Sequence, residues 1–368
     1  DTERTSSRRD FQFQAPSSFP RGVDMLRPDL LLAPAVIEAF NIALVETNEG
    51  NPAFLATLRN QAGYVKFDYQ MTDALQLNAG IRYETAELEV SPIKIFKTAG
   101  ASLAGTALEE SYWLPAATLT WQLASDMQLR GNLSKTIARP QFRELVYQFY
   151  FDPDSNRMYR GNPFLVDSEL TNAEARFEWY FDTDQRFTAA AFYKKITNPI
   201  ESFVAGDDFT TSYANAPQAN LIGAEFDAQK YFDLSAIEGD FWASRRIVLN
   251  GNYTYTMSEL KVAKNDPISV FASSSKNATD FFKDGAQMTG QSDHIANIQF
   301  GMESTGERLS QQTILLSWNS NRVTNRGPAG QPDFVEYTGP RLDFVWREGL
   351  KLFNRTGELK FEARNLLS

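Results

Sequence analysis

Leu75-Gln76-Leu77-Asn78-Ala79-Gly80-Ile81-Arg82-Tyr83 alternates apolar and polar positions without a break. Successive side chains of a strand point to opposite faces. Leu75, Leu77, Ala79, Ile81 and Tyr83 therefore share one greasy face, and Gln76, Asn78 and Arg82 share a wet one. The same rhythm recurs along the chain. Met127, Leu129, Gly131 and Leu133 alternate with Gln128, Arg130, Asn132 and Ser134. Ala173, Ala175, Phe177, Trp179 and Phe181 oppose Asn172, Glu174, Arg176 and Glu178. Ile222, Ala224, Phe226 and Ala228 oppose Gly223, Glu225, Asp227 and Gln229, and Leu359, Phe361 and Ala363 oppose Glu358, Lys360, Glu362 and Arg364.

What separates these segments alternates too. Short polar turns fall at Met71-Thr72-Asp73, Ala124-Ser125-Asp126, Asp182-Thr183-Asp184-Gln185 and Ser304-Thr305-Gly306-Glu307, and more loosely at Glu238-Gly239-Asp240 and Asn354-Arg355-Thr356-Gly357. Between them come long excursions near 15–60, 91–110, 140–170, 202–216, 259–290 and 320–332. Short turns on one side, long loops on the other and dyad alternation between them mark a transmembrane β-barrel. A soluble sandwich also alternates, but its strands usually span about 5–6 residues, whereas several here run longer. Both charge signs also stand at mid-strand, as a water-filled lumen requires. Strands are expected to start near 4, 62, 74, 112, 126, 171, 186, 219, 245, 292, 310, 333 and 357, and one helix over Leu30–Val45. The fold class is thus all-β: an antiparallel transmembrane barrel of about a dozen strands, with short periplasmic turns and long extracellular loops.

Composition narrows the function. No run approaches the roughly 18 apolar residues of a membrane helix; only every second residue of a barrel strand must be apolar. The 28 Phe, 14 Tyr and 6 Trp suit either aromatic girdles or an all-β core. With no cysteine among 368 residues, disulfides, thiolate metal sites and cysteine nucleophiles are excluded. A net charge of -10 argues against a nucleic-acid partner. No signal peptide opens the chain at Asp1-Thr2-Glu3-Arg4, and Arg364-Asn365-Leu366-Leu367-Ser368 stops as a strand ends, so the sequence reads as a fragment of a longer protein.

A collinear series of phrases goes beyond pattern: Leu133-Ser134-Lys135-Thr136-Ile137-Ala138-Arg139-Pro140-Gln141-Phe142-Arg143-Glu144-Leu145, then Gly161-Asn162-Pro163-Phe164-Leu165, Glu178-Trp179-Tyr180-Phe181 and Phe192-Tyr193-Lys194-Lys195-Ile196-Thr197-Asn198-Pro199-Ile200-Glu201. In this order and spacing, over essentially the whole chain, it resembles the C-terminal barrel region of TonB-dependent outer-membrane receptors. That resemblance implies a 22-stranded barrel plugged by an N-terminal domain, with residues 1–368 as its C-terminal part and the plug, first strands and last strand lying outside it. It also implies a bacterial (Gram-negative) outer-membrane location, contact with outer-membrane lipid, and import of a small-molecule nutrient, carbohydrate or metal chelate. An inner-membrane energy-coupling protein would engage the missing N-terminal region. The work is binding rather than catalysis, with no cofactor. A passive porin-like channel and a barrel enzyme are the alternatives.

The loop Tyr147–Pro163 is the foremost ligand candidate. It gathers Tyr147, Phe149, Tyr150 and Tyr159 beside Asp152, Asp154, Arg160 and Asn162, the aromatic faces and convergent hydrogen-bonders that grip polar solutes. The competing reading is a self-packed loop anchored to the barrel rim. Asp152, Asp154 and Asn156 resemble a calcium loop, but Arg157 replaces its glycine and Pro163 its glutamate, so no metal site is expected. Asp207-Asp208 reads as a solvated tip. Arg82, Arg130 and Arg176 fall on the wet face and are expected to pair with carboxylates such as Glu174, Glu178 and Glu225 and, through the resemblance, to meet the plug. Any catalytic triad must use His294, the one histidine. Its neighbour Asp293 points to the opposite face of a strand, which argues against one.

Overall fold

The computed structural model describes residues 11–14, 22–23, 25–46, 53–93, 104–152, 155–205, 210–306, 308–328, 331–352 and 355–367. Twelve long strands form one antiparallel sheet in strict sequence order. They are β1 (Ala53–Thr72), β2 (Leu75–Ile93), β3 (Thr106–Ala124), β4 (Met127–Ala138), β5 (Ser168–Asp182) and β6 (Gln185–Thr197). The wall continues with β7 (Gln218–Asp233), β8 (Arg245–Lys261), β9 (His294–Ser304), β10 (Ser310–Asn319), β11 (Arg341–Leu352) and β12 (Arg355–Ala363). The sheet is open between β1 and β12. It is a partial barrel wall, and among the described residues no helix is long and apolar enough to cross a membrane.

Register carries the alternation from strand to strand. Tyr69, Leu77 and Leu119 face one another across β1–β3. Leu129 pairs with Phe177, Phe177 with Ala189, Ala189 with Phe226 and Phe226 with Tyr253. Leu249, Phe300, Ile314 and Phe344 extend the apolar face through β8–β11. A one-residue slip anywhere would turn a strand's apolar set into the lumen. Val65, Phe67, Trp121, Ile222, Ile298 and Phe361 are all exposed on this face, which is the lipid face of a barrel.

The turns keep to one end and the excursions to the other. Four turns fall where expected, between β1 and β2, β3 and β4, β5 and β6, and β11 and β12; the links 233–245 and 304–310 are somewhat longer. Three expectations shift. β1 begins at Ala53 rather than near 62, and β3 at Thr106 rather than near 112, because both strands continue past the bilayer to support the loops. The start near 333 is a short loop strand, Phe334–Glu336, and the wall strand begins at Arg341. The expected start near 4 lies outside the described residues. The helix over Leu30–Val45 is broken into Pro28–Leu31 and Pro34–Phe40. A proline has no amide hydrogen to donate and suits a first turn, so Pro34 opens a second helix instead of continuing the first. Asn41, at φ 51°, ends it, and Ala43–Glu46 becomes a strand paired with Phe11–Gln14.

His294 begins β9 on the lipid face. Its Nδ1 lies 2.7 Å from the Tyr253 hydroxyl, and its ring stacks near Trp318 and lies tilted against Tyr255. Asp293 instead accepts from the Gln287 amide, at 2.8 Å. The histidine thus belongs to an aromatic belt at the loop end of the wall.

Candidate functional site

The two hydrophobic clusters sit at the loop end, on the lumen side of the wall. In the first, Leu145, Val146 and Leu165 of the excursion 138–168 pack on Ala56, Leu88 and Val90, all at inward positions of β1 and β2. In the second, Val262, Ile268, Val270, Ala278 and Phe282 of the excursion 261–294 pack on inward Ile196, Ala219 and Leu260. The loops therefore fold inward over the lumen.

Short strand pairs connect the excursions. Phe149–Asp152 and Arg157–Arg160 form a hairpin inside 138–168, and Ile200–Ala205 with Thr210–Asn215 forms another inside 197–218. The two hairpins merge into one four-stranded sheet through a parallel contact of Thr211 with Tyr159. Tyr159 stacks between Tyr150 and Tyr213, with centroids at 5.5 and 6.2 Å, and the Tyr150 and Tyr213 hydroxyls lie 3.1 Å apart. Burial pushes both phenols up, so they stay neutral hydrogen-bonding groups. Arg160 lies over Tyr147 at 4.7 Å and Phe149 at 5.0 Å, and Tyr147 meets Phe271 edge-on at 4.5 Å. Arg143 approaches the Tyr150 ring at 5.9 Å. A guanidinium over aromatic faces is a cation–π arrangement, and this one is partly exposed at the mouth of the lumen.

Asn162 does something other than the ligand contact expected of it. It is only 1% exposed. Its Nδ2 donates to the Tyr213 and Ser269 carbonyls at 3.0 and 2.9 Å, and its Oδ1 accepts from the Phe164 and Phe271 amides at 3.1 and 3.2 Å. One amide thereby holds three excursions together. Beside it, a Cβ on Gly161 would overlap the Val146 and Glu144 carbonyl oxygens, so only glycine lets the chain approach that closely. Asp152 caps its own turn, accepting from the Ser155 hydroxyl at 2.6 Å. Asp154, Asp207 and Asp208 lie outside the described residues.

A second node was not foreseen from the sequence. Glu201 and Arg326, with side chains 1% and 3% exposed, meet at 3.1 Å. Arg326 also reaches Asp333 at 2.8 Å, and Glu201 accepts from the Thr289 amide at 3.0 Å. Burial pushes the Glu201 carboxyl up, against the pull of Arg326 and the Thr289 amide. The only hint was that Glu201 closes the Asn198-Pro199-Ile200-Glu201 phrase; its partner stands 125 residues away. Alongside lies a cavity of about 750 Å³ between 261–294 and 319–341, lined by Phe281, Lys283, Asp284, Arg326, Gln331 and Asp333. That is within the usual range for a small-ligand cleft.

Lower in the lumen, Arg82 lies 2.7 Å from Glu84, which Arg139 also approaches at 2.7 Å. Arg176 lies 2.9 Å from Glu174 and 3.5 Å from Glu225, and Arg130 lies 3.6 Å from Glu178. The Arg176 pairs are partly exposed, and such pairs add little individually; Glu84 and Glu178 are buried carboxylates held by their arginines, and together the pairs set a fixed pattern of charge on the inner wall.

The chain matches the family described as TonB dependent receptor-like, beta-barrel, over residues 31–346. No curated protein matches it. Among solved structures it resembles the siderophore receptor PiuA from Acinetobacter baumannii, at TM-score 0.58 and 17% identity over 89% of this chain and 41% of that one. It also resembles the ferric-catecholate import receptor Fiu from E. coli K12, at TM-score 0.56 and 16% identity over 88% of this chain and 42% of that one. A third is the mutant ferric enterobactin receptor PfeA from Pseudomonas aeruginosa in complex with enterobactin, at TM-score 0.52 and 12% identity over 89% of this chain and 50% of that one. The chain spans half or less of each of these proteins. It belongs to the TonB-dependent receptors of the outer membrane, as part of their β-barrel.

Proposed function

We propose that this chain is the wall and loop cap of an energy-coupled importer that takes up a metal chelate, in the manner of a siderophore receptor. In this reading residues 1–368 are the C-terminal part of the barrel, and a plug and an energy-coupling segment, supplied from outside these residues, gate the lumen. The observation that carries the choice of ligand is the cluster of Tyr147, Phe149, Tyr150, Tyr159 and Tyr213 with Arg143 and Arg160 at the lumen mouth. Arginines set against aromatic rings suit an anionic, ring-bearing chelate better than a neutral sugar. The likeness to receptors named for siderophores and ferric catecholates supports the same choice. The task is binding and gating. Arg82, Arg130 and Arg176, with Glu174, Glu178 and Glu225, present the charge pattern that a plug would meet.

The test is equilibrium binding to the full receptor of a ferric catecholate, a ferric hydroxamate and an oligosaccharide. Binding of a ferric chelate, weakened in Arg160→Ala, is expected. Tight binding of the oligosaccharide with neither chelate held would replace this reading with carbohydrate uptake.

A further inference from the structure

The inner wall leaves one cation uncommitted beneath the cap. Every described arginine that the wall strands turn toward the lumen meets a carboxylate. Arg186 lies 3.1 Å from Asp227, Arg246 2.6 Å from Glu303, Arg341 2.8 Å from Asp343 and Arg347 2.7 Å from Glu358, as Arg82, Arg130 and Arg176 lie against theirs. Lys66 and Lys360 are likewise paired, with Asp68 and Glu362. Two described inward lysines remain. Lys351 stands at the turn end of β11, and Lys194 stands near the loop end of β6. Lys194 is partly buried, and among the described residues it makes neither an ion pair nor a hydrogen bond.

The place of Lys194 in the wall says what it could meet. The row above it on the lumen side, Ile196, Ala219 and Leu260, is the floor on which 261–294 packs. Lys194 itself stands opposite Asn172 of β5, which stands opposite Ser134 of β4. The excursion 138–168, which carries the aromatic mouth, springs from these same two strands. Asn172 turns its Nδ2 to the Thr136 hydroxyl at 3.1 Å, and its Oδ1 is buried with no donor. A buried acceptor left bare signals a missing partner, and so does an ammonium drawn partly out of water with no counter-charge. At the mouth, Arg143 and Arg160 also make no ion pair among the described residues and meet only rings. Uncompensated positive charge therefore runs from the mouth down to Lys194, while the cations of the wall below are neutralised pair by pair.

Resting on the chelate reading, we propose that Lys194 is a second anion contact for the imported ligand, below the mouth. Its ammonium holds a negatively charged group of the chelate, while the Asn172 Oδ1 accepts an N–H or O–H of the same molecule. The experiment is isothermal titration of the full receptor in detergent with an anionic ferric tris-catecholate and with a neutral ferric tris-hydroxamate. Lys194→Gln should weaken the catecholate roughly tenfold, by removing one charge-assisted contact, and should leave the hydroxamate's affinity unchanged. Asn172→Asp, which supplies Lys194 with a carboxylate partner, should weaken the catecholate comparably, and Lys194→Arg should retain it. Unchanged heat-modifiable mobility certifies that the variants fold. Wild-type affinity for the catecholate in folded Lys194→Gln and Asn172→Asp would overturn the proposal, as would an equal loss of both chelates. Unchanged affinity joined to a raised passive leak of small solutes would overturn it and assign the lysine to a plug carboxylate instead. A wild-type receptor that holds only the neutral chelate would overturn it with chelate import left standing, and one that holds neither would sink both.

Discussion

The turn-side half of the wall and the loop cap are built on opposite principles. At the open edge of the sheet, β1 has every side chain exposed from Gln61 to Thr72; what holds it is its ladder to β2. In lipid every backbone polar group must be paired internally, and side chains there need only match the medium each face meets. The cap inverts this. Its backbone pairs only in short strands, and much of its order comes from two apolar clusters and two buried polar nodes. The wall is therefore tolerant of sequence but intolerant of register or polarity errors, while the cap depends on individual residues.

The comparison can be broken at its strongest point with Arg326→Met. This removes the cation between Glu201 and Asp333, and stripping one partner from a buried pair costs about 3–5 kcal/mol. Hydrogen exchange should rise in 197–218, 261–294 and 319–341 while the wall stays protected. Loss of the whole barrel would show that cap and wall are one cooperative unit.

On the wall, Ala117→Arg places a charge in the lipid band and should cost about 2–4 kcal/mol, read as refolding yield into vesicles. Asn78→Arg, on the wet face beside Asp68, should be near neutral. Equal effects would mean that the two faces are not distinguished by medium.

Asn162→Ala leaves two carbonyls and two amides without their partner. A cost of about 1–3 kcal/mol should appear as faster proteolysis within 138–168 and 261–294. The pH response of the cap follows from Glu201. Its folded carboxyl binds a proton more tightly than its unfolded one. That stabilisation is complete below the ordinary carboxylate range and is lost as pH rises through the raised value. Cap protection should therefore decline as pH rises through that raised value, and Glu201→Gln should flatten the decline. Smallest of all, Arg176→Ala should change stability by at most about 1 kcal/mol, measured by urea unfolding in vesicles.

Much of the wall was legible because its information is local. Alternation at Leu75–Tyr83 or Ala173–Phe181 fixes which side chains face which medium, and a turn such as Asp182–Gln185 fixes where the chain reverses. Strand ends were less legible: Ala53 and Thr106 start early because they buttress loops distant in sequence. The aromatic residues of Tyr147–Pro163 are gathered at the lumen mouth with Tyr213 and Phe271 brought from other excursions, a placement that no local window carries. Asn162 looked like a ligand-binding side chain because exposure cannot be read from residue type.

By itself the sequence determined the class of fold, the two faces of the wall and the family, since each is written in periods of two and in collinear phrases. Only the tertiary structure decided how the loops fold inward, that Asn162 is a hub, and that Glu201 meets Arg326. Those contacts reach as far as 125 residues along the chain, and burial and pairing at such distances come from the folded chain as a whole, not from any window along it.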